Sequence, residues 1–408
     1  MVHEPSDGIT RATLRRPAPG RGGARTVGRD HSRHATASGT RPRSCGRRRG
    51  SRRHARRACI ARKSCSDRQG DDSDADTPRG SAGCTERRSY PCGVVRSPLA
   101  LAALATVAVP GLDAFDVRRP LRPGTDYDTA VVIDSTRQRW VVRAPQHAAA
   151  GAALEAEAVL LGQLGPAADA GHLPFAVPVP AGFAHLTEGG RATVHLEIPG
   201  RPLELEQLHP GPGLAASLGR ALAALHELPT SIVENAGLPV YDPSAYRQRR
   251  QAEVDEAART GKVPPALLRR WEARLEDVAL WRFRPTVVHG DLSAERVIVV
   301  GDAVSGILHW GDACVADPAD DLAWLLVAAP SDAADSIMEA YQLRRTELID
   351  PHLVDRALLA GELALARWLL YGVRTNDVEI IDDAVAMLVD LDDSTRALDE
   401  VGAERQMA

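Results

Sequence analysis

Lysine is nearly missing from this 408-residue chain. Only Lys63 and Lys262 carry it, so arginine supplies almost all of the 50 basic side chains and any cationic role falls to a guanidinium. Long apolar runs are missing as well. The longest, PLALAALATVAVPG at Pro98–Gly111, falls short of the roughly 20 residues that a helix needs to cross a bilayer. A charged stretch before it and small residues after it have the outline of a secretory signal, but a position near residue 100 argues against one. Cysteine is scarce where folding is expected: Cys45, Cys59, Cys65, Cys84 and Cys92 precede residue 96, and Cys314 stands alone beyond it. No CxxC pair occurs, so zinc has little support, and a single cysteine in the folded part suits a reducing cytosol. The expectation is a cytoplasmic protein with no membrane partner.

The net charge of −4 hides two unlike pieces. Residues 1–95 hold 22 Arg/Lys against 9 Asp/Glu, and the remainder holds 28 against 45, so the halves carry +13 and −17. The first piece contains RPRSCGRRRGSRRHARRACIARK and few large apolar side chains. Such a segment buries too little surface to offset the entropy of folding, and it reads as a disordered Arg-rich tail or the product of a wrongly chosen start codon. Arginine could neutralise nucleic-acid phosphates, but Tyr90 is the tail's only aromatic residue and no reading module is present, so a nucleic-acid partner is not expected.

From Arg96 onward the pattern is that of a packed protein. SPLALAALATVAV offers a serine cap and a proline in the first turn, which predicts a short helix. DAFDVRRPL, TAVVIDS and QRWVVRAP predict three strands, with a turn around Asp134–Arg137. AALEAEAVLLGQL predicts a helix with Leu154, Val159, Leu160 and Leu164 at helical spacing. FAVPVPAGFAHL and RATVHLEIPG predict further strands, and beyond Gly200 the chain turns largely helical. There GLAASLGRALAALHELP sets Leu214, Leu218, Leu222 and Leu225 on one stripe. The two short strands RVIVV and SGILHW interrupt these helices. The pattern predicts an α+β, bilobal plan of the protein-kinase type: a small sheet-rich N-lobe over 96–198, and a larger helical C-lobe over 199–400.

The chemistry centres on VVHGDLSAERVIVV, Val287–Val300. Phosphoryl transfer needs an Asp to orient or deprotonate the attacking hydroxyl, a cation on the phosphates and ligands for a metal. A strand at Thr286–Val288 would deliver His289, Gly290 and Asp291 into a loop. Gly290 allows an unusual backbone there, Asp291 projects into the cleft as base, and His289 holds the loop by hydrogen bonds.

HGDL, the strand pair after it and HWGDACVADPADDLAWLL together resemble the aminoglycoside/macrolide phosphotransferase family of kinase-like, antibiotic-modifying enzymes. RWVVRAP, EIPGRPL, GRALAALHELP, GLPVYDPSAYRQRR and LWRFRPTVVHGDL carry the likeness over about 98–395, and it is strongest to macrolide 2′-phosphotransferases. The resemblance implies a transfer of the γ-phosphoryl group of ATP or GTP to a small hydroxylated acceptor, a macrolide, an aminoglycoside or a metabolite. Asp291 matches the catalytic base. Arg143 stands in the place of the phosphate-contacting lysine on the third strand, with Glu157, or else Glu155, as its ion-pair partner. Gly124 stands where a phosphate-covering loop belongs. His195–Arg201 corresponds to the hinge, so that Glu197 and Ile198 would meet the purine base through their backbone.

Two departures concern the metal. The family places Asn or His five residues after the base, where this chain has Arg296. The family then has an Asp before the Trp of its second strand, and here His309 occupies that place. Magnesium prefers oxygen ligands, arginine cannot ligate and imidazole suits softer metals. Mg²⁺, or Mn²⁺, would therefore sit in an altered or weakly binding site. Three readings stand: Asp312, His309 or Glu295 takes over the metal, Arg296 replaces part of its charge, or the site keeps only binding and the protein is catalytically silent. For the acceptor, Glu339, Glu362, Asp377, Glu379, Asp382 and Asp383 either attract a cationic sugar or form solvated helix faces, with the latter favoured for most of them. Trp368 and Tyr371 fall one turn apart and read as core.

Overall fold

The computed structural model describes residues 95–119, 126–347 and 350–407, so the expected tail lies outside the described residues, apart from Val95. The first element, α1 (Pro98–Ala108), starts where expected: the Ser97 hydroxyl accepts from Ala100 N at 3.2 Å and Pro98 fills the first turn. Strands β1 (Ala114–Arg118), β2 (Tyr127–Asp134) and β3 (Arg139–Pro145) follow, then α2 (Ala148–Asp169), β4 (Gly182–His185) and β5 (Arg191–Leu196). They form one antiparallel sheet in the order β1-β2-β3-β5-β4. Asp134 makes the β2–β3 turn. Its carboxylate accepts from Thr136 N, Gln138 N and Trp140 Nε1 at 2.9 Å each, and Arg137 takes φ +71°.

Strand period then sorts the sheet's two faces. Ala130, Val132, Trp140, Val142, Ala144, Ala192 and Val194 pack with Leu101 and Ala105 of α1 in one apolar cluster. Thr129, Arg143 and Thr193 are cross-strand partners on the opposite face. That alternation puts a buried guanidinium on the face away from α1. In α2 the buried stripe is Leu154, Leu160, Leu161 and Leu164, while Val159, expected on it, is 50% exposed. Leu161, about two turns after Leu154, returns to its face, whereas Val159 lies about 140° round the helix from Leu154 and turns outward. FAVPVPAGFAHL gives a strand only at its end. Pro178 and Pro180 keep residues 175–181 out of a regular strand, with one bridge from Ala176 to Gly306.

The second lobe comprises β6 (Arg201–Pro202), α3 (Leu214–His226), α4 (Ser231–Asn235), α5 (Pro243–Arg259), α6 (Pro265–Glu276), β7 (Thr286–Val288), β8 (Val297–Val300), β9 (Ala303–Ile307), β10 (Cys314–Ala316), α7 (Ala319–Ala328), α8 (Ser331–Arg344), α9 (Leu353–Thr375) and α10 (Val378–Met407). Sheets β6-β8-β9 and β10-β7 are small and antiparallel. The leucines of α2 join α3, β7–β9, α7 and α8 in a single core, so the long helix of the sheet lobe is anchored in the helical one. A second core joins α5, α6, α9 and α10. Glu362 is no solvated face: it is buried, accepting from Arg270 Nη2 and Trp271 Nε1 at 2.9 Å each. Trp368 and Tyr371 stack at 5.6 Å and are half-buried. No helix among the described residues is long and apolar enough to cross a membrane.

Helices α3 and α8 touch through Gly219, where an added Cβ would lie 2.2 Å from Ile337 O. Gly219→Ala should therefore destabilise the protein by about 2 kcal/mol. Overpacking costs of roughly 1–3 kcal/mol or more outweigh the ~1 kcal/mol gained in helix propensity. A lower urea midpoint at unchanged slope is the expected readout.

Candidate active site

Three backbone constraints build the His289–Asp291 loop. Strand β7 pairs with β10, Val288 opposite Cys314, which holds the loop's entrance. Gly290 takes φ +83°, and a Cβ there would lie 2.3 Å from Asp312 O, so only glycine lets the two segments approach. Asp321, fully buried at the start of α7, then spans the loop: its carboxylate accepts from His289 N at 2.7 Å and Gly290 N at 3.0 Å. A third donor reaches it from α3, His226 Nε2 at 3.2 Å, and Tyr341 OH lies 2.8 Å from His226 Nδ1. Burial opposes the charge on Asp321, but these donors outweigh it and hold the carboxyl below its ordinary value.

The neighbouring acids of DPADD have separate partners. Asp317 receives a bidentate pair from buried Arg356 at 2.6 and 3.0 Å, and Asp320 pairs with Arg250 at 2.9 Å and with Tyr246 OH. All three carboxylates brace the lobe.

His289 has no exposed surface. Its Nε2–H donates to Leu308 O at 2.9 Å and its Nδ1 accepts from Asp291 N at 3.3 Å. Burial lowers its pKa, and the neutral imidazole is spent on backbone. That is a positioning arrangement. Asp291 keeps its side chain 24% exposed. Burial pushes its carboxyl above the ordinary value; Arg296 opposes this and Asp312 adds to it. Arg296 donates to the Asp291 backbone carbonyl and forms an ion pair with its carboxylate.

Across the cleft, Arg143 Nη1 meets Glu157 Oε2 at 2.8 Å, both side chains being more than nine-tenths buried. Glu155 goes elsewhere, to Arg191. The second oxygen of Glu157 accepts from Trp310 N at 2.9 Å, tying the sheet lobe to the segment beside the loop. Tyr127 lies 4.5 Å under the Arg143 guanidinium, and burial raises its phenol to about 12. His309 takes φ +64°, left-handed for a non-glycine residue. Its surface is open, yet it sits deep enough in protein that desolvation, then Arg143 and Arg296, hold its pKa well below the ordinary one. Asp312 is half-buried.

Not every expected residue converges. Gly124 lies outside the described residues. Glu197 N–H donates to Arg139 O at 2.8 Å and its carboxylate pairs with Arg139, so its N–H is not open to a base. Ile198 packs its side chain over Gly306 and makes no backbone hydrogen bond within the described residues. Three contributors escaped the sequence reading: His226, Tyr127, and the three-residue strand β10 inside a polar run. For His226 the position at the end of an otherwise apolar helix was the available clue.

A twisted five-stranded sheet with a buried Arg–Glu pair, set beside helices that carry a braced His-Gly-Asp loop, defines the kinase-like class of phosphotransferases. A phosphotransferase enzyme family (APH) model matches residues 117–355, more than half of the chain, and the protein belongs to that family. The fold resembles that of macrolide 2′-phosphotransferase MphH from Brachybacterium faecium, at 25% identity and a TM-score of 0.59 over 68% of this chain and 93% of that one. Among curated sequences it is 26% identical over 201 residues to uncharacterized protein YcbJ of Bacillus subtilis (strain 168), covering 48% of this chain and 66% of that protein. It is 31% identical over 174 residues to homoserine kinase of Methylobacterium sp. (strain 4-46), covering 40% and 52%. The chain thus spans less than two thirds of the length of these curated relatives.

Proposed function

We propose that this protein transfers the γ-phosphoryl group of ATP or GTP to a hydroxyl of a small acceptor, a macrolide, an aminoglycoside or a hydroxylated metabolite. Residues 96–198 form the nucleotide-binding lobe in this reading, and 199–400 the lobe with the catalytic loop and acceptor site. The observation that carries it is the run from Arg143 through Glu157 to Trp310 N, which couples a buried cation on the sheet to the segment flanking Asp291. Arg143 then holds phosphate, the Ile198 backbone meets the base, and His289 fixes the loop. Asp291 accepts the acceptor's hydroxyl proton as its oxygen bonds to Pγ; the bond from Pγ to the bridging β-oxygen breaks, and the nucleoside diphosphate leaves. Burial, by raising the Asp291 pKa, makes it the stronger proton acceptor.

The family implies a divalent metal with the nucleotide, and the residues here do not fit one. Arg296 cannot ligate and instead occupies the Asp291 carboxylate. His309 offers nitrogen where magnesium takes oxygen. Among the described residues no group of three or more His, Cys, Asp or Glu could hold a metal ion. The same Arg296–Asp291 pair favours a second reading, a catalytically silent protein that binds nucleotide or a small molecule.

The test is direct. The full chain is incubated with ATP or GTP and, separately, a macrolide, an aminoglycoside and homoserine, the last taken from the name of the kinase relative. Mass spectrometry of the acceptor should find a phosphoryl group on one class. Nucleotide binding with no modified acceptor in any class would favour the silent reading.

A further inference from the structure

Arg296 stands five residues after Asp291, and its backbone is fixed at both ends. Its N–H donates to Ser293 O at 3.1 Å, and its carbonyl accepts from Leu308 N at 2.9 Å. The side chain is therefore held from a fixed backbone. It is only 16% exposed, and its guanidinium lies on the Asp291 carboxylate. Arg143, on the other wall, is 91% buried with one nitrogen on Glu157 and a buried Nε that no partner satisfies. An unpaired buried donor is costly unless a ligand completes it. The segment Leu308–Trp310 links the two: Leu308 N donates to Arg296 O and Trp310 N donates to Glu157, the partner of Arg143, at 2.9 Å each.

We propose that Arg296 is a built-in cation in the place of the metal, so that Arg143 and Arg296 together bind a nucleoside triphosphate free of any divalent ion. The inference rests on the nucleotide-site reading above and deepens it. Arg296 brings +1 where a magnesium ion would bring +2, beside the +1 of Arg143, and each guanidinium can grip phosphate oxygens through two parallel N–H bonds. A divalent ion entering beside Arg296 would meet like charge and find its oxygen ligand already paired. The resting ion pair with Asp291 gives the site a second property. A triphosphate carries more negative charge than one carboxylate, so it draws the guanidinium away from the Asp291 carboxylate as the nucleotide arrives. No counterpart of this exchange is needed where a metal ligand occupies the position.

The experiment is calorimetric titration of the full 408-residue chain with ATP and with GTP, in EDTA and in magnesium. Wild type should bind with dissociation constants that agree within about twofold between the two conditions, because the arginines and not a metal carry the charge. Asp291→Asn should bind about fivefold more tightly in EDTA, since the guanidinium no longer has to leave a carboxylate. Arg296→Asn/His309→Asp should bind at least about tenfold more weakly in EDTA and be rescued by magnesium. Binding of wild type only with magnesium would overturn the proposal and leave the nucleotide site standing. No binding under either condition would remove both. A folded double variant that binds equally well in EDTA would overturn it too, by showing that Arg296 is not the agent. Should that variant not fold, wild type and Asp291→Asn decide the matter alone.

Discussion

Asp291→Asn should lower phosphoryl transfer by about 10²–10⁴-fold while leaving the fold nearly as stable as wild type. In the proposed reaction the side chain takes the proton, and it contributes little to packing. It is partly exposed at the end of a loop whose shape is set by other groups: Asp321 on two backbone N–H groups, His289 on Leu308 and the glycine at 290. Asparagine keeps the size and one acceptor oxygen, so Arg296 retains both that oxygen and the backbone carbonyl of residue 291. What disappears is the ability to take a proton from the acceptor hydroxyl. Initial rates on the acceptor identified above, beside a urea melt of the same sample, separate the two effects. A rate within a fewfold of wild type at unchanged stability would mean that Asp291 is not the base, and the assignment would have to move.

Much of the fold and part of the site could be read from residue order alone, for a physical reason. Strand and helix periods are local. RWVVRAP alternates, so Arg143 had to fall on the face opposite Val142, and Glu157 follows on the next helix at a spacing that lets it reach back. The capping serine, the Asp134 turn and the leucine stripe of α3 are equally local. The rest depends on contacts between distant segments. His226 meets Asp321 across 95 residues, and Glu157 meets Trp310 across 153. No period links such positions. Val159 failed as a core residue because it lies about 140° round α2 from Leu154, while Leu161 returns to the Leu154 face. The identity of Arg296 was visible as a missing metal ligand. That its guanidinium lands on Asp291 requires the β8–β9 pairing that fixes its backbone.

The largest expected loss of stability follows Asp321→Asn, about 3–5 kcal/mol, because the change removes a buried charge from three converging donors. His226 Nε2–H, His289 N–H and Gly290 N–H all point at its two oxygens, and the side chain has no exposed surface. Asparagine offers one acceptor oxygen and turns an amide NH₂ toward a donor. At least one buried N–H is then left facing another, a cost that neither water nor a rotamer change can relieve in a closed core. The loop should loosen with it, so transfer falls along with stability, unlike in Asp291→Asn. The acid limb gives an independent check. The carboxyl is held below its ordinary value in the folded protein, so its stabilisation is full above the ordinary carboxylate range and drains away as pH falls through the folded-state value. The gap between wild type and variant urea midpoints should therefore be widest near neutrality and narrow on acidification. Equal midpoints at neutral pH would mean that the bonds to the loop do not hold it, and the brace would have to be sought in the β7–β10 pairing and the Gly290 contact with Asp312 instead.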